Sequence, residues 1–223
     1  MDRKKYEFTG ETRALSSTTI LHRIRAVIDI PSAGVNAGDI GGWIESDSNL
    51  SNSGDAWVGG DARVSGDAWV GDDARVDGNA RVFGSARVSD DARVSGSAWV
   101  SDDARVSGDA WVDGNAWVGD DARVSGDARV GDDARVGGNA WVSGDARINS
   151  NKDFIIIGPI GSRSDFTTFY KNKDENVCVR CGCFSGTVDE FLAVVQKTHG
   201  DNRFGREYRI AAELAKAHIL EED

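Results

Sequence analysis

From Ala56 to Ala146 an alanine stands at every sixth position, sixteen times without insertion or deletion. Two residues after each comes an aliphatic side chain, Val58, Val64, Val70 and onward to Val142, with Ile148 closing the series. Arg or Trp separates the two, and the next three positions are filled almost entirely by Gly, Ser, Asp and Asn. An α-helix through this stretch would lose roughly 1 kcal/mol at each glycine. A three-residue strand fits instead, with Ala and Val pointing to one side and Arg or Trp to the other. The three small or polar residues then turn a corner, because Gly, Asp and Asn tolerate the positive φ of a tight turn. A strict short period of this kind predicts a solenoid with Ala and Val inside and Arg and Trp outside.

The flanking segments have other patterns. In residues 1–50, Tyr6 and Phe8 alternate with charged residues. Ile20, His22, Ile24, Ala26 and Ile28 alternate with Leu21, Arg23, Arg25 and Val27, which reads as strand. Pro31 ends that run, and Gly34, Gly38, Gly41 and Gly42 mark turns around Trp43-Ile44. Gly42-Trp43-Ile44 has the form of the repeat but is out of its register, so residues 1–50 are expected to be a β cap with an irregular first coil. Such a cap covers the open core and blocks strand addition. After Asn149-Ser-Asn151 the repeat stops, and residues 152–223 predict a small α+β domain. Phe154-Ile-Ile-Ile157, Thr167–Tyr170 and Val177–Phe184 read as strands, with a turn at Asn172–Asn176. Thr187-Val-Asp-Glu190 is a capping box opening a helix that ends at Gly200, and a second helix begins near Asp201-Asn202.

The six-residue phrase, aliphatic at one position and small four residues later, resembles the hexapeptide repeat of left-handed parallel β-helices. That resemblance implies triangular coils of three hexapeptides, 18 residues each, so residues 51–151 would make about five coils, roughly 25 Å long at the ~4.8 Å strand spacing. The handedness is implied by the family alone. Outward residues would then stand in three files: Trp57, Arg75, Arg93, Trp111, Arg129 and Arg147; Arg63, Arg81, Trp99, Trp117 and Arg135; Trp69, Arg87, Arg105, Arg123 and Trp141. Every tryptophan has an arginine above or below it, so guanidinium–indole stacking is expected throughout. Trp99 and Trp117 are the only tryptophans in consecutive coils of one file, which makes them the candidate interface patch. A corner file of Asp55, Asp73, Asp91, Asp109, Asp127 and Asp145 is expected to bond backbone N–H groups and to pair with the arginine two positions on.

Composition narrows the function. Net charge is −11, and residues 51–150 hold 18 acidic against 10 basic groups, which argues against direct binding to nucleic acid or an anionic membrane. The charged start Met1–Lys5 and the lack of a long apolar run predict neither a secretory leader nor a membrane span. Three cysteines clustered between 178 and 183 suit a reducing cytoplasm. Many hexapeptide-repeat proteins are acyltransferases with a histidine base between coils. Residues 51–150 contain no His, Cys, Lys or Glu, so that activity is not expected here.

The chemical inventory lies in the C-terminal segment. Arg163, Thr167, His199 and Arg203, with Arg206, form a candidate polar pocket. Cys178, Cys181, Cys183 and His199 are a weak candidate zinc set, with buried thiols as the plainer expectation and no cofactor required. Arg23-Ile-Arg-Ala-Val-Ile-Asp29 and Ala37-Gly-Asp-Ile-Gly-Gly-Trp-Ile44 are similar to the opening of β-helix proteins of bacteria and their phages. Cys181-Gly-Cys-Phe-Ser-Gly-Thr187 and Thr198-His-Gly-Asp201 resemble a C-terminal domain found on such proteins, often prophage-encoded. The resemblance brings no activity with it. The leading expectation is a non-catalytic scaffold of bacterial or phage origin in the cytoplasm of a bacterial or phage-infected cell, displaying a C-terminal domain to a protein partner, and the resemblance to hexapeptide-repeat proteins implies a homotrimer. The alternative is an acidic decoy that occupies the nucleic-acid groove of a host defence protein.

Overall fold

The computed structural model describes residues 4–221. Met1 to Arg3 of the charged start, and the last two residues of the C-terminal segment, lie outside it. Each copy of the phrase is a two-residue strand, from Trp57–Val58 to Arg147–Ile148. Strands 18 residues apart pair in parallel, as Arg93 does with Arg75 on one side and Trp111 on the other. The three files are those the 18-residue spacing gives. About six turns form, the repeat's five and the irregular first coil expected before them. The extra one comes from Ile40–Ile44, whose Trp43 and Ile44 pair in parallel with Arg63 and Val64.

Two regularities hold the solenoid. Backbone N–H groups donate to the carbonyl 17 positions on, such as Arg75 to Ala92 at 2.9 Å and Arg93 to Ala110 at 2.8 Å. Every repeat alanine, valine and Ile148 is at most 1% exposed. The corner residue two positions after each Val has φ between +51° and +73°, and it is glycine except at Asp72, Asp90, Asp102, Asp120 and Asp132. Four of these five aspartates accept a bond from the next coil, the shortest from Gly108 N–H to Asp90 Oδ2 at 2.9 Å and from Gly138 N–H to Asp120 Oδ2 at 2.8 Å. Left-handed strain at a non-glycine residue is thereby offset by a charge-assisted hydrogen bond.

The cap is an antiparallel hairpin, Tyr6–Ala14 with Ile20–Ala26, joined through Ile40–Ile44 to one file of the solenoid. Strict alternation is not what the second strand shows. Its register shifts between Arg23 and Arg25, so Leu21 and Ile24 are both buried while Ile20 is 51% exposed. A bulge of this kind reverses the inward face partway along a strand. Lys5 is also buried. Its ammonium donates to the Gly54 carbonyl at 3.1 Å, and desolvation lowers its pKa to about 8 against the pull of Asp55 and Asp73.

At the far end, Phe154–Ile160, Asp165–Lys171, Val177–Cys181 and Phe184–Thr187 form an antiparallel meander. The expected strand Val177–Phe184 is therefore two strands, folded back at Gly182 with φ +56°. The sheet is buried on both faces. Tyr170 joins the solenoid core with Phe154, Ile156 and Cys178 against it, while Ile155, Ile157, Phe169 and Val179 pack on the helices. Trp141 N–H of the last coil donates to Thr168 Oγ1 at 3.0 Å, and Ala146 bridges to Asn172. The helices are α1 (Val188–His199), with the Thr187/Glu190 capping box, and α2 (Arg203–Leu220), capped by Asn202. No helix among the described residues is long and apolar enough to cross a membrane.

Two glycines separate strain from packing at the corners. A Cβ on Gly96 (φ +63°) would lie 2.8 Å from the Gly114 carbonyl, whereas one on Gly138 (φ +61°) would meet nothing within 4 Å. Gly138→Ala is expected to cost about 1–2 kcal/mol, the left-handed strain alone. Gly96→Ala is expected to cost distinctly more. Thermal melts followed by circular dichroism check the ranking, and equal losses would show that the coils do not meet at the corner.

Candidate binding site

Outward side chains on the solenoid divide by the residue that follows the valine. Where it is Ser or Asp, the indole stacks with arginine: Arg81 lies 4.8 Å from the Trp99 ring centroid, Arg93 and Arg129 lie 5.2 and 5.0 Å from Trp111, and Arg123 lies 5.4 Å from Trp141. Where it is glycine, at Trp57, Trp69 and Trp117, no such stack forms among the described residues, which corrects the expectation of universal pairing. Trp57 is only 7% exposed, with Gly41 of the cap against its ring. The Trp69 and Trp117 indoles fold over Gly71 and Gly119, where a Cβ would leave no room for them.

Trp99 and Trp117, although neighbours in their file, do not stack on each other for the same reason. Trp117 also lies over Gly137 in the next coil and donates its Nε1–H to Ser101 Oγ at 3.2 Å in the previous one. Trp99, 41% exposed, makes its ring contact with Phe83 instead, centroids 6.0 Å apart and nearly perpendicular. What the two tryptophans form is a depression of about 520 Å³, completed by Ser97, Asn115 and Arg135. A second hollow of about 220 Å³ adjoins it through Trp99 and is lined by Leu15, Arg63, Arg81 and Phe83 among others. Arg63 titrates below the usual arginine range because it is desolvated and because Arg13 and Arg81 stand close to it.

The corner file from Asp55 to Asp145 does not pair with arginine as expected. Asp73 Oδ1 accepts from Asp55 N–H at 2.9 Å, and Asp145 meets Lys173 at 3.5 Å. Asp91, Asp109 and Asp127 have no ion-pair partner among the described residues, because the neighbouring guanidiniums of that file lie over Trp111.

In the C-terminal domain, Arg163, Cys181, Cys183 and His199 border one cleft of about 240 Å³, together with Tyr208 and Phe191. Arg163 Nη1 points at Cys183 Sγ, 3.9 Å away, and the guanidinium is held above its ordinary pKa by that thiol. Thr167, fully buried, stands behind the cleft and donates to Cys181 Sγ at 3.3 Å. The His199 ring is 5.8 Å from that of Tyr208, whose phenol is pushed up to about 12 by burial and by Cys181. Arg203 and Arg206 are not part of the cleft. Arg203 pairs with Glu207 at 2.7 Å, and Arg206 donates to the Asp201 carbonyl at 2.8 Å.

The candidate zinc set is split. Cys178 faces the solenoid core across the sheet, and burial pushes its thiol to about 11. Cys183 leaves the strand at the Gly182 turn and is exposed, so it is not the buried thiol expected. Among the described residues no three metal-binding side chains converge.

The comparisons agree with the architecture. Residues 56–72 and 86–102 match the family model described as the YdcK beta solenoid repeat. No curated protein matches the chain. Each matched segment is about one coil long and gives one strand to each of the three files, through Trp57, Arg63 and Trp69 in the first and Arg87, Arg93 and Trp99 in the second.

The three thiols are expected to differ in reactivity. A raised thiol pKa leaves Cys178 almost wholly protonated at pH 8, and the thiolate is the nucleophile. Alkylation of the folded protein should modify Cys183 first and leave Cys178 unmodified until the pH approaches 11. Peptide mass spectrometry across pH reads this directly, and rapid labelling of Cys178 at pH 8 would contradict its packing against the solenoid.

Proposed function

We propose that this protein acts by binding rather than by catalysis, as a solenoid scaffold that holds a C-terminal interaction domain rigidly at one end. The observation that supports this reading is the shared sheet: one face of it seals the last coil and the other carries α1 and α2. The helices therefore cannot swing on a tether. Their outer side leaves Val194, Ile210 and Leu214 at 47%, 65% and 52% exposed. Ile210 and Leu214 lie one helical turn apart, so they form an apolar stripe offered to a protein partner. Assembly into homotrimers, and action in the cytoplasm of a bacterium or a phage-infected cell, belong to the same proposal. They rest on the sequence resemblance and on three cysteines that are all free thiols.

Light scattering at tens of micromolar is expected to give three times the chain mass, and a strict monomer would remove the trimer from the proposal. The variant Ile210→Ser/Leu214→Ser is expected to keep its melting temperature while losing partner capture. A variant that captures partners as well as the parent would move the interaction surface elsewhere.

One observation favours a second reading, the acidic decoy. The unpaired aspartates Asp91, Asp109 and Asp127 stand in file at the coil spacing, an axial row of negative charge. Replacing all three with Asn should abolish low-salt capture of a DNA-binding host protein if the decoy reading holds. Capture unchanged by that replacement would end it.

A further inference from the structure

We propose that the file Arg63–Arg81–Trp99–Trp117–Arg135 binds a linear anionic glycan of the uronic-acid class, seated in the depression between Trp99 and Trp117. The site is on the solenoid flank and is independent of the C-terminal domain.

Four observations converge on it. First, the two indoles are separated rather than stacked on each other, so both contribute to one depression of about 520 Å³ instead of to a closed pair. An indole face is electron-rich and receives the axial C–H groups of a pyranose ring, and Trp99 stays 41% exposed with Arg81 over its ring. Second, the corner beside this stretch has lost its acids. Asn79, Ser97 and Asn115 occupy the position that is Asp in most other copies, the one place where three consecutive coils of a file are uncharged there. Asn115 turns its amide N–H to Asp133 at 3.1 Å, which orients the side-chain oxygen as an acceptor for a hydroxyl.

Third, the tryptophans are flanked along the axis by cations. Arg63, Arg81 and Arg135 have no ion-pair partner among the described residues of a chain whose net charge is −11. A guanidinium pairs with a carboxylate through two parallel N–H donors, so Arg135, exposed and unstacked, is the ready partner for a uronate, while Arg81 is held over Trp99 and Arg63 is partly desolvated. Fourth, the hollow of about 220 Å³ between Leu15, Arg81, Phe83 and Trp99 continues the depression along the same face. A chain ligand can therefore follow the ladder coil by coil. A single-stranded nucleic acid could also stack on indoles, and both ligands are polyanions; the uncharged corner of Asn79, Ser97 and Asn115, with the Asn115 oxygen free to accept, favours the hydroxyl-rich sugar chain.

The test is titration of the full chain with an oligogalacturonate, with a neutral cello-oligosaccharide and oligo(dT) as comparison probes, read by calorimetry and tryptophan fluorescence. Saturable binding of the oligogalacturonate is expected, with quenching. Trp117→Ala and Arg135→Gln should each weaken it by about tenfold or more, and Trp111→Ala, on a different file, should leave it unchanged. Arg135 is exposed and makes no bond through its side chain, so its replacement keeps the test valid if the Trp117 variant is unstable. No saturable binding of the oligogalacturonate overturns the proposal. So does equal binding of the neutral sugar, tighter binding of oligo(dT), or insensitivity to both variants. A Trp99→Ala/Trp117→Ala chain that falls from oligomer to monomer overturns it too, because the face would then be an interface between copies.

Discussion

The structure depends on one conformational constraint, the left-handed corner that returns every sixth residue. A positive φ at that position turns the chain by the angle a three-sided coil needs. The same position then lies against its counterpart one coil on, as Gly96 lies against Gly114. Glycine meets both demands at once. Where aspartate replaces it, the carboxylate reaches the next coil's N–H and converts a strained site into a cross-link, as at Asp90 and Asp120. Constant corners make constant strand length, and constant strand length keeps Ala over Ala and Val over Val. The interior is therefore a column in which every side chain has the same neighbours.

A ladder built this way leaves its ends as unpaired strand edges, and the two ends are closed differently. At the start, a hairpin extends one file sideways, and a bulge turns its side chains onto the first coil. At the finish, a whole sheet lies across the opening and supplies side-chain acceptors such as Thr168 Oγ1 to the last coil's N–H groups. Because both faces of that sheet are buried, the closing element is also the floor of the helical domain. Loss of contact on either face would expose apolar area on both bodies, which couples the solenoid to α1 and α2 more firmly than a linker would.

The sequence carried the period, the inward Ala and Val, the three files and the helix caps, all of which depend on local chemistry repeated many times. What it did not carry were features decided by one residue or by a distant neighbour. The indoles sort by the residue after the valine: Ser101, Asp113 and Ser143 leave Trp99, Trp111 and Trp141 on arginine, while Gly71 and Gly119 let Trp69 and Trp117 fold away. That signal was present in Trp-Val-Gly against Trp-Val-Ser, but its meaning needs the corner geometry. Cys181 and Cys183 likewise alternate in sequence, and the turn at Gly182 removes the second from the strand. The unbroken run Phe154-Ile-Ile-Ile157 was the legible sign of a strand covered on both faces. Only the fold shows that the second cover is the solenoid itself.

A solenoid of this kind separates what stabilises it from what it presents. Ala, Val and the corner residues fix the ladder, and in the middle coils the outward side chain enters neither the interior nor the backbone ladder. It is therefore free to differ from coil to coil without strain elsewhere. The chain uses that freedom unevenly. Two files carry their tryptophans apart and hold aspartate at most of their corners, whereas the third brings Trp99 and Trp117 into consecutive coils beside Asn79, Ser97 and Asn115. Trp117 packs over Gly119 and Gly137 and bonds Ser101, whereas Trp99 beside it stays 41% exposed. The proposed binding face lies on the file whose composition departs in this way from the other two.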